Sequence, residues 1–212
     1  MRQTFSFGAW APTFEAIMKF PLSFNFKLLA IASQIYVSDA DGHSVAYVKQ
    51  KLMKLKEHVE VFSDDTQTSR LFDIRADRVI DFSAKYNFTD ASGVELGSVR
   101  RRGMRSIWKA SYEVFDGSGN QVGTISEENV YVKIFDSLLA EIPIIGMVTG
   151  YFLNPSYLLS RMDGTPIARL RKMPAFFEGS FQMEALAPSD DTEQTRNFLS
   201  FLMMTLLERM RG

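Results

Sequence analysis

Five basic side chains, Arg100, Arg101, Arg102, Arg105 and Lys109, fall within one short stretch, and Lys49, Lys51, Lys54 and Lys56 form a second run. Guanidinium and ammonium groups gathered on one face attract anionic phospholipid headgroups, by about 1 kcal/mol each close to a membrane surface. The plain alternative is a solvated strand face whose charges are paired across the sheet, with Asp73, Asp77 and Asp81 as partners. The formal net charge is −1, so no global field draws the chain toward lipid or nucleic acid. Any such attraction must come from a local patch, and no nucleic-acid partner is predicted.

Other chemistries find less support. The segment "DGSGNQVGTISE" offers Asp116, Ser118, Asn120 and Glu127 at the ligand spacing of a calcium loop. Its sixth position is Gln121 where the sharp turn needs glycine, so a hairpin turn explains it better. "GHSVA" places Ser44 in a loose nucleophile-elbow pattern, yet its last glycine is Ala46, and His43 is adjacent in a strand, where neighbours face opposite ways. There are no cysteines and only two histidines, His43 and His58. Thiol catalysis, disulfides and thiolate metal sites are excluded, and a zinc site would need mostly carboxylates. No catalytic residue, metal site or cofactor is predicted, and the chain reads as a non-enzyme. Trp108, Tyr112, Phe115, Tyr131, Phe135 and Tyr151 are either pocket-lining or core aromatics.

The elements that would position these residues are mostly strands. One pattern, apolar-x-Asp-x-x-Gly-x-x-apolar-small-x-apolar, occurs as "VSDADGHSVAYV", "FTDASGVELGSV" and "VFDGSGNQVGTI". A fourth copy, "LSRMDGTPIARL", has Arg161 at the usual aspartate position and Asp163 beside the glycine. Aspartate accepts hydrogen bonds from the turn backbone and glycine takes the positive φ, so each copy predicts a β-hairpin. The apolar positions are three apart, which breaks strict alternation and predicts a bulge near the small residue (Ala46, Gly97, Gly123 or Ala168). Leu22, Phe24, Phe26 and Leu28 alternate as one face of another strand. "HVEVFSDD" and "SRLFDIRAD" flank a further turn. The whole predicts a meandering antiparallel sheet, closed or nearly so.

Two stretches depart from this pattern. Val130, Ile134, Leu138 and Ile142 are spaced for a short amphipathic helix ending before Pro143. The uncharged run from Ile142 to Ser160 is either buried or turned toward lipid. The second stretch, "NFLSFLMMTLLERMRG", follows Asp190 or Asp191 as N-cap and is apolar around its whole circumference. It is shorter than the ~20 residues that a bilayer span needs. It predicts a helix to about Met210 enclosed by the sheet, with Phe198, Phe201, Leu202 and Leu206 buried.

The hairpins, "QIYVSDADG", the segment "RRRGMRSIWKASYEVFDGSGNQVG" and the hydrophobic terminal helix resemble the LURP-one-related and phospholipid scramblase group of the tubby C-terminal-like superfamily. "KLLAIASQIYVSDADG" and "RRGMRSIWKASYEVFDGSG" also resemble one another, in line with the two related halves of that superfamily. The resemblance implies a mainly β fold: a closed antiparallel barrel of about twelve strands threaded by the hydrophobic C-terminal helix. It implies a single domain over 1–212, with an N-terminal extension at 1–20 and a partly helical insertion at 127–158. Functionally it implies a barrel that binds phospholipid headgroups at a membrane surface; the charge cluster itself offers Arg100, Arg101, Arg102, Arg105 and Lys109 as candidates, and the absence of cysteines fits a cytoplasmic, membrane-peripheral protein. The alternative is a structural or interaction module that binds a protein partner through 130–160 and has no lipid role.

Overall fold

The computed structural model describes residues 14, 18–29, 32–51, 58–78, 84–102, 111–128, 155–174 and 179–209. Twelve strands run in chain order: β1 (Leu22–Leu29), β2 (Ala32–Ser38), β3 (Ser44–Lys51), β4 (His58–Phe62), β5 (Arg70–Ala76), β6 (Lys85–Asp90), β7 (Glu95–Arg101), β8 (Ser111–Phe115), β9 (Gln121–Glu127), β10 (Ser156–Arg161), β11 (Pro166–Met173) and β12 (Ser180–Ala185). Each pairs antiparallel with its chain neighbours, and β1 pairs with β12, so the sheet closes into a barrel. Helix α1 (Asp191–Arg209) follows. The expected amphipathic helix over 130–142 lies outside the described residues.

The meander creates two rims. The connections β2–β3, β4–β5, β6–β7, β8–β9 and β10–β11, together with the start of α1, lie at one end, here the turn rim. The ends of β1, β3, β5, β7, β9 and β11, the starts of the strands that follow them and the end of α1 lie at the other, here the helix-end rim.

An irregularity recurs at the turn rim. In the four copies of the repeat the ladder skips one residue: Val45, Leu96, Val122 or Ile167. This is the bulge that the three-residue apolar spacing demanded. It turns the small residue and the apolar residue two further on toward the interior; Ala46 and Val48, and Ala168 and Leu170, are all buried. The β4–β5 hairpin has the same bulge at Leu71, although its turn does not fit the sequence pattern. There Phe72 stands where the copies carry alanine or glycine. Its ring meets Phe14, which also packs on Phe198 of α1.

Among these small residues Gly97 lies directly against α1, at Arg196. Small barrels fill with their own strand side chains, whereas a larger one leaves space in its interior. A helix of nineteen residues, about 28 Å long and ~10 Å across, occupies that space here. Every residue from Thr195 to Leu206 is buried; Phe198, Phe201 and Leu202 are 0% exposed and Leu206 3%. Each large apolar side chain so enclosed contributes about 1.5–3 kcal/mol relative to exposure. The polar Thr205 is accommodated by donating its hydroxyl hydrogen to the Leu202 carbonyl at 2.7 Å.

The helix start is fixed from two sides. Asp190 is the N-cap, its carboxylate accepting the Glu193 amide at 2.8 Å. Glu193 does not reach back to the cap. Arg161 holds its carboxylate through Nε at 3.0 Å and Nη2 at 2.6 Å, and also donates to the Pro188 carbonyl. In the other copies the equivalent aspartate accepts turn amides, as Asp116 does from Ser118 and Asn120. In the fourth copy Asp163 takes over that task through the Thr165 amide, which frees Arg161 to clamp the helix.

Gly97 shows how tight the fit is. Its φ is +143°, and a Cβ there would lie 2.4 Å from the Phe115 carbonyl and 2.7 Å from Arg196 Cδ. Gly42 also has positive φ, +84°, but faces open space. Gly97→Ala is expected to lose about 2–4 kcal/mol by urea denaturation, against about 1 kcal/mol for Gly42→Ala. Equal losses would mean that β7 and α1 do not press together at this point.

Candidate functional site at the helix-end rim

β7 delivers three consecutive arginines to the helix-end rim, and strand alternation gives them different surroundings. Val99 is fully buried in the interior. Arg101, two residues on, shares its face and turns toward α1, with its side chain 17% exposed. Arg100 and Arg102 point outward.

Arg100 is already committed. Opposite it in the β7–β8 ladder stands Glu113, which accepts from its Nε at 3.0 Å and its Nη2 at 2.6 Å. The guanidinium lies 5.3 Å from the centre of the Phe115 ring, and Lys85 Nζ is 4.6 Å from the same ring. The partner is therefore Glu113 and not the aspartates named from sequence. Asp73 pairs with His58 and Arg70, Asp77 pairs with Arg78, and Asp81 lies outside the described residues. Arg102 is different: its side chain is 72% exposed and its Nε reaches Glu113 only at 4.0 Å. Arg105 and Lys109 lie outside the described residues. The connection that carries them leaves and returns at this rim, where the Arg102 amide donates to the Ser111 carbonyl at 2.8 Å.

Arg101 belongs to a cluster that sequence alone did not reveal. Its Nη2 lies 3.9 Å from Glu208 near the end of α1, and the hydroxyl of the buried Tyr112 donates to the same Glu208 carboxylate oxygen. Burial first, then the hydrogen bond and charge of Glu208, push the Tyr112 phenol far above its ordinary range. Burial and the charges of Glu208 and Glu127 push Tyr157 up to about 12. The signal for this cluster was Glu208 itself, the first charge after a long apolar run. Its partners sit on β7 and β8, far away in sequence.

Elsewhere on the rim, Arg169 is held by Glu128 at 3.1 and 3.3 Å and by Glu184 at 3.5 Å. Most of the 130–160 stretch lies outside the described residues. Its end, Ser156–Ser160, belongs to β10, and the flanking Glu128 and Ser156 are joined by a backbone hydrogen bond of 2.8 Å.

Among the described residues, two side-chain groups have metal-ligand types at close range. His58, Glu60 and Asp73 meet across β4 and β5, which needs the register to see. Arg70 Nη1 already lies 3.1 Å from Asp73 and 3.6 Å from Glu60, so its positive charge takes the place a cation would need. In the other group Asp39 accepts the amides of Asp41 and His43, and Asp41 pairs with Lys19 at 2.6 Å. These are a cross-strand ion cluster and a turn cap. The calcium spacing dissolves likewise: Asp116 caps its turn while Glu127 stands at the far end of β9.

A closed, helix-filled antiparallel barrel defines the fold class of the protein. A sequence model of the LURP-one-related family matches residues 44–180, from the start of β3 to the start of β12, and the chain belongs to that family. Among curated proteins and among solved structures none matches the chain. Among the described residues no helix is long and apolar enough to cross a membrane.

Tyr112→Phe removes the hydroxyl that partners Glu208 and is expected to cost about 1–2 kcal/mol at neutral pH. A phenol whose pKa is raised by folding adds stability below its ordinary value, 10.0, that is lost as pH rises beyond it. The gap between native chain and variant should narrow above that value. Urea titrations at neutral and alkaline pH measure it, and a constant or widening gap would contradict the assignment.

Proposed function

We propose that this LURP-one-related barrel is a non-enzymatic protein that binds anionic phospholipid headgroups, peripheral to a membrane on its cytoplasmic side. The observation that supports this best is Arg102. It is highly exposed and weakly held, at a rim where Arg105 and Lys109 follow in the chain. Arg100 and Arg101 are spent on Glu113 and Glu208, so their contribution is to shape the strand end and the local field. The interior is filled by α1, which favours a surface role over an enclosed ligand.

Co-sedimentation with phosphatidylcholine–phosphatidylserine vesicles at low salt tests the reading. Binding that weakens with salt and falls several-fold in Arg102→Glu is expected. Arg100→Glu places two carboxylates face to face with Glu113 and should lower thermal stability instead. No binding to these vesicles, or binding indifferent to Arg102→Glu, overturns the proposal.

A further inference from the structure

Exposed charge is unevenly distributed along the barrel axis. At the turn rim each of the five hairpins turns on an aspartate that accepts backbone amides: Asp39, Asp64, Asp90, Asp116 or Asp163. Helix α1 opens there with Asp190, Asp191 and Glu193. Near the helix-end rim stand the exposed cations Lys27, Lys49, Arg75, Arg102 and Arg171, on or directly after β1, β3, β5, β7 and β11, beside Asp77, Glu127 and Glu128; Lys19, paired with Asp41, and Arg70 are exposed cations toward the turn rim. The cause of the acidic end is turn chemistry, which calls for aspartate at every such hairpin. The α1 dipole runs the opposite way, positive at the acidic end and negative at the basic one, so it offsets part of this polarity. A net charge of −1 hides this polarity completely.

We infer that the protein docks on an anionic membrane rim-first, with the C-terminal end of α1 toward the lipid and the aspartate turns away from it. This rests on the lipid-surface reading and adds the face and orientation of binding. The five cations are spread around the rim and do not converge on a pocket. A compact phosphate would touch one or two of them, whereas a charged plane meets them together. The acidic rim lies about 28 Å off along the helix. At physiological salt, where screening acts over about 8 Å, it adds little repulsion.

The absence of cysteines allows a direct test. Ser126, exposed near the helix-end rim on β9, and Ser92, exposed in the β6–β7 turn, are replaced singly by cysteine and labelled with a fluorophore. Each protein is mixed with phosphatidylcholine–phosphatidylserine vesicles carrying a headgroup quencher. Quenching of the Ser126→Cys probe and not of the Ser92→Cys probe is expected. Lys49→Gln, Arg75→Gln and Arg171→Gln should each weaken partition roughly five-fold, and inorganic phosphate at matched ionic strength should not compete. Binding with the Ser92→Cys probe quenched, or displacement by phosphate, overturns the rim-first geometry and leaves lipid binding standing. No binding to the vesicles overturns the lipid reading itself. Sedimentation without vesicles that the three glutamine variants abolish would show head-to-tail stacking of this chain and overturn the inference.

Discussion

The structure depends on one enclosure. Helix α1 is apolar on every side between Asn197 and Leu207, so no single sheet face could bury it. A closed barrel can. Closure itself requires β1 to pair with β12, two strands at opposite ends of the chain. The interior must also stay narrow enough to grip the helix and wide enough to admit it. Gly97, beside a bulge in β7 at the end where the helix begins, meets that requirement directly against Arg196 of α1. Phe72 breaks the small-residue series, and Phe14 packs in its place against the helix.

The same enclosure explains the division of labour among charged residues. Near both ends of α1 a carboxylate side chain needs a partner as the helix enters and leaves the barrel. At the start Asp190 caps and Arg161 fixes Glu193. Near the end Glu208 is met by Tyr112 and Arg101. Two of the arginines that stand out in the sequence, Arg101 and Arg161, thus serve the helix, and Arg100 serves the β7–β8 ladder. What remains for an external partner is the set of exposed cations around the helix-end rim, with Arg102 the clearest.

Much of the fold was legible because it rests on local chemistry. Asp-x-x-Gly turns, bulge spacing and the alternation of Leu22, Phe24 and Phe26 are all written in short windows. Burial of Phe198, Phe201 and Leu202 follows from length and circumference alone. The β4–β5 hairpin escaped the repeat because "SDDTQTS" turns on Asp64 without the glycine. The site was less legible. Five basic residues in one short stretch of sequence suggest one patch, but alternation sends Arg101 inward and the register gives Arg100 to Glu113. Pairings such as Arg161 with Glu193 and Tyr112 with Glu208 depend on how the strands close around the helix, which no local window contains. The family match likewise ends at residue 180, before α1 begins.

Amide hydrogen exchange of the native protein tests the enclosure of α1 most directly. A helix held inside the barrel can exchange only when the barrel opens. The amides from Phe198 to Leu206 should therefore exchange as slowly as those of Val99 in β7 and Ile125 in β9, with the same dependence on denaturant. Exchange of the helix at the rate of exposed turn amides such as Ser92 and Gly93, while the strands stay protected, would contradict it.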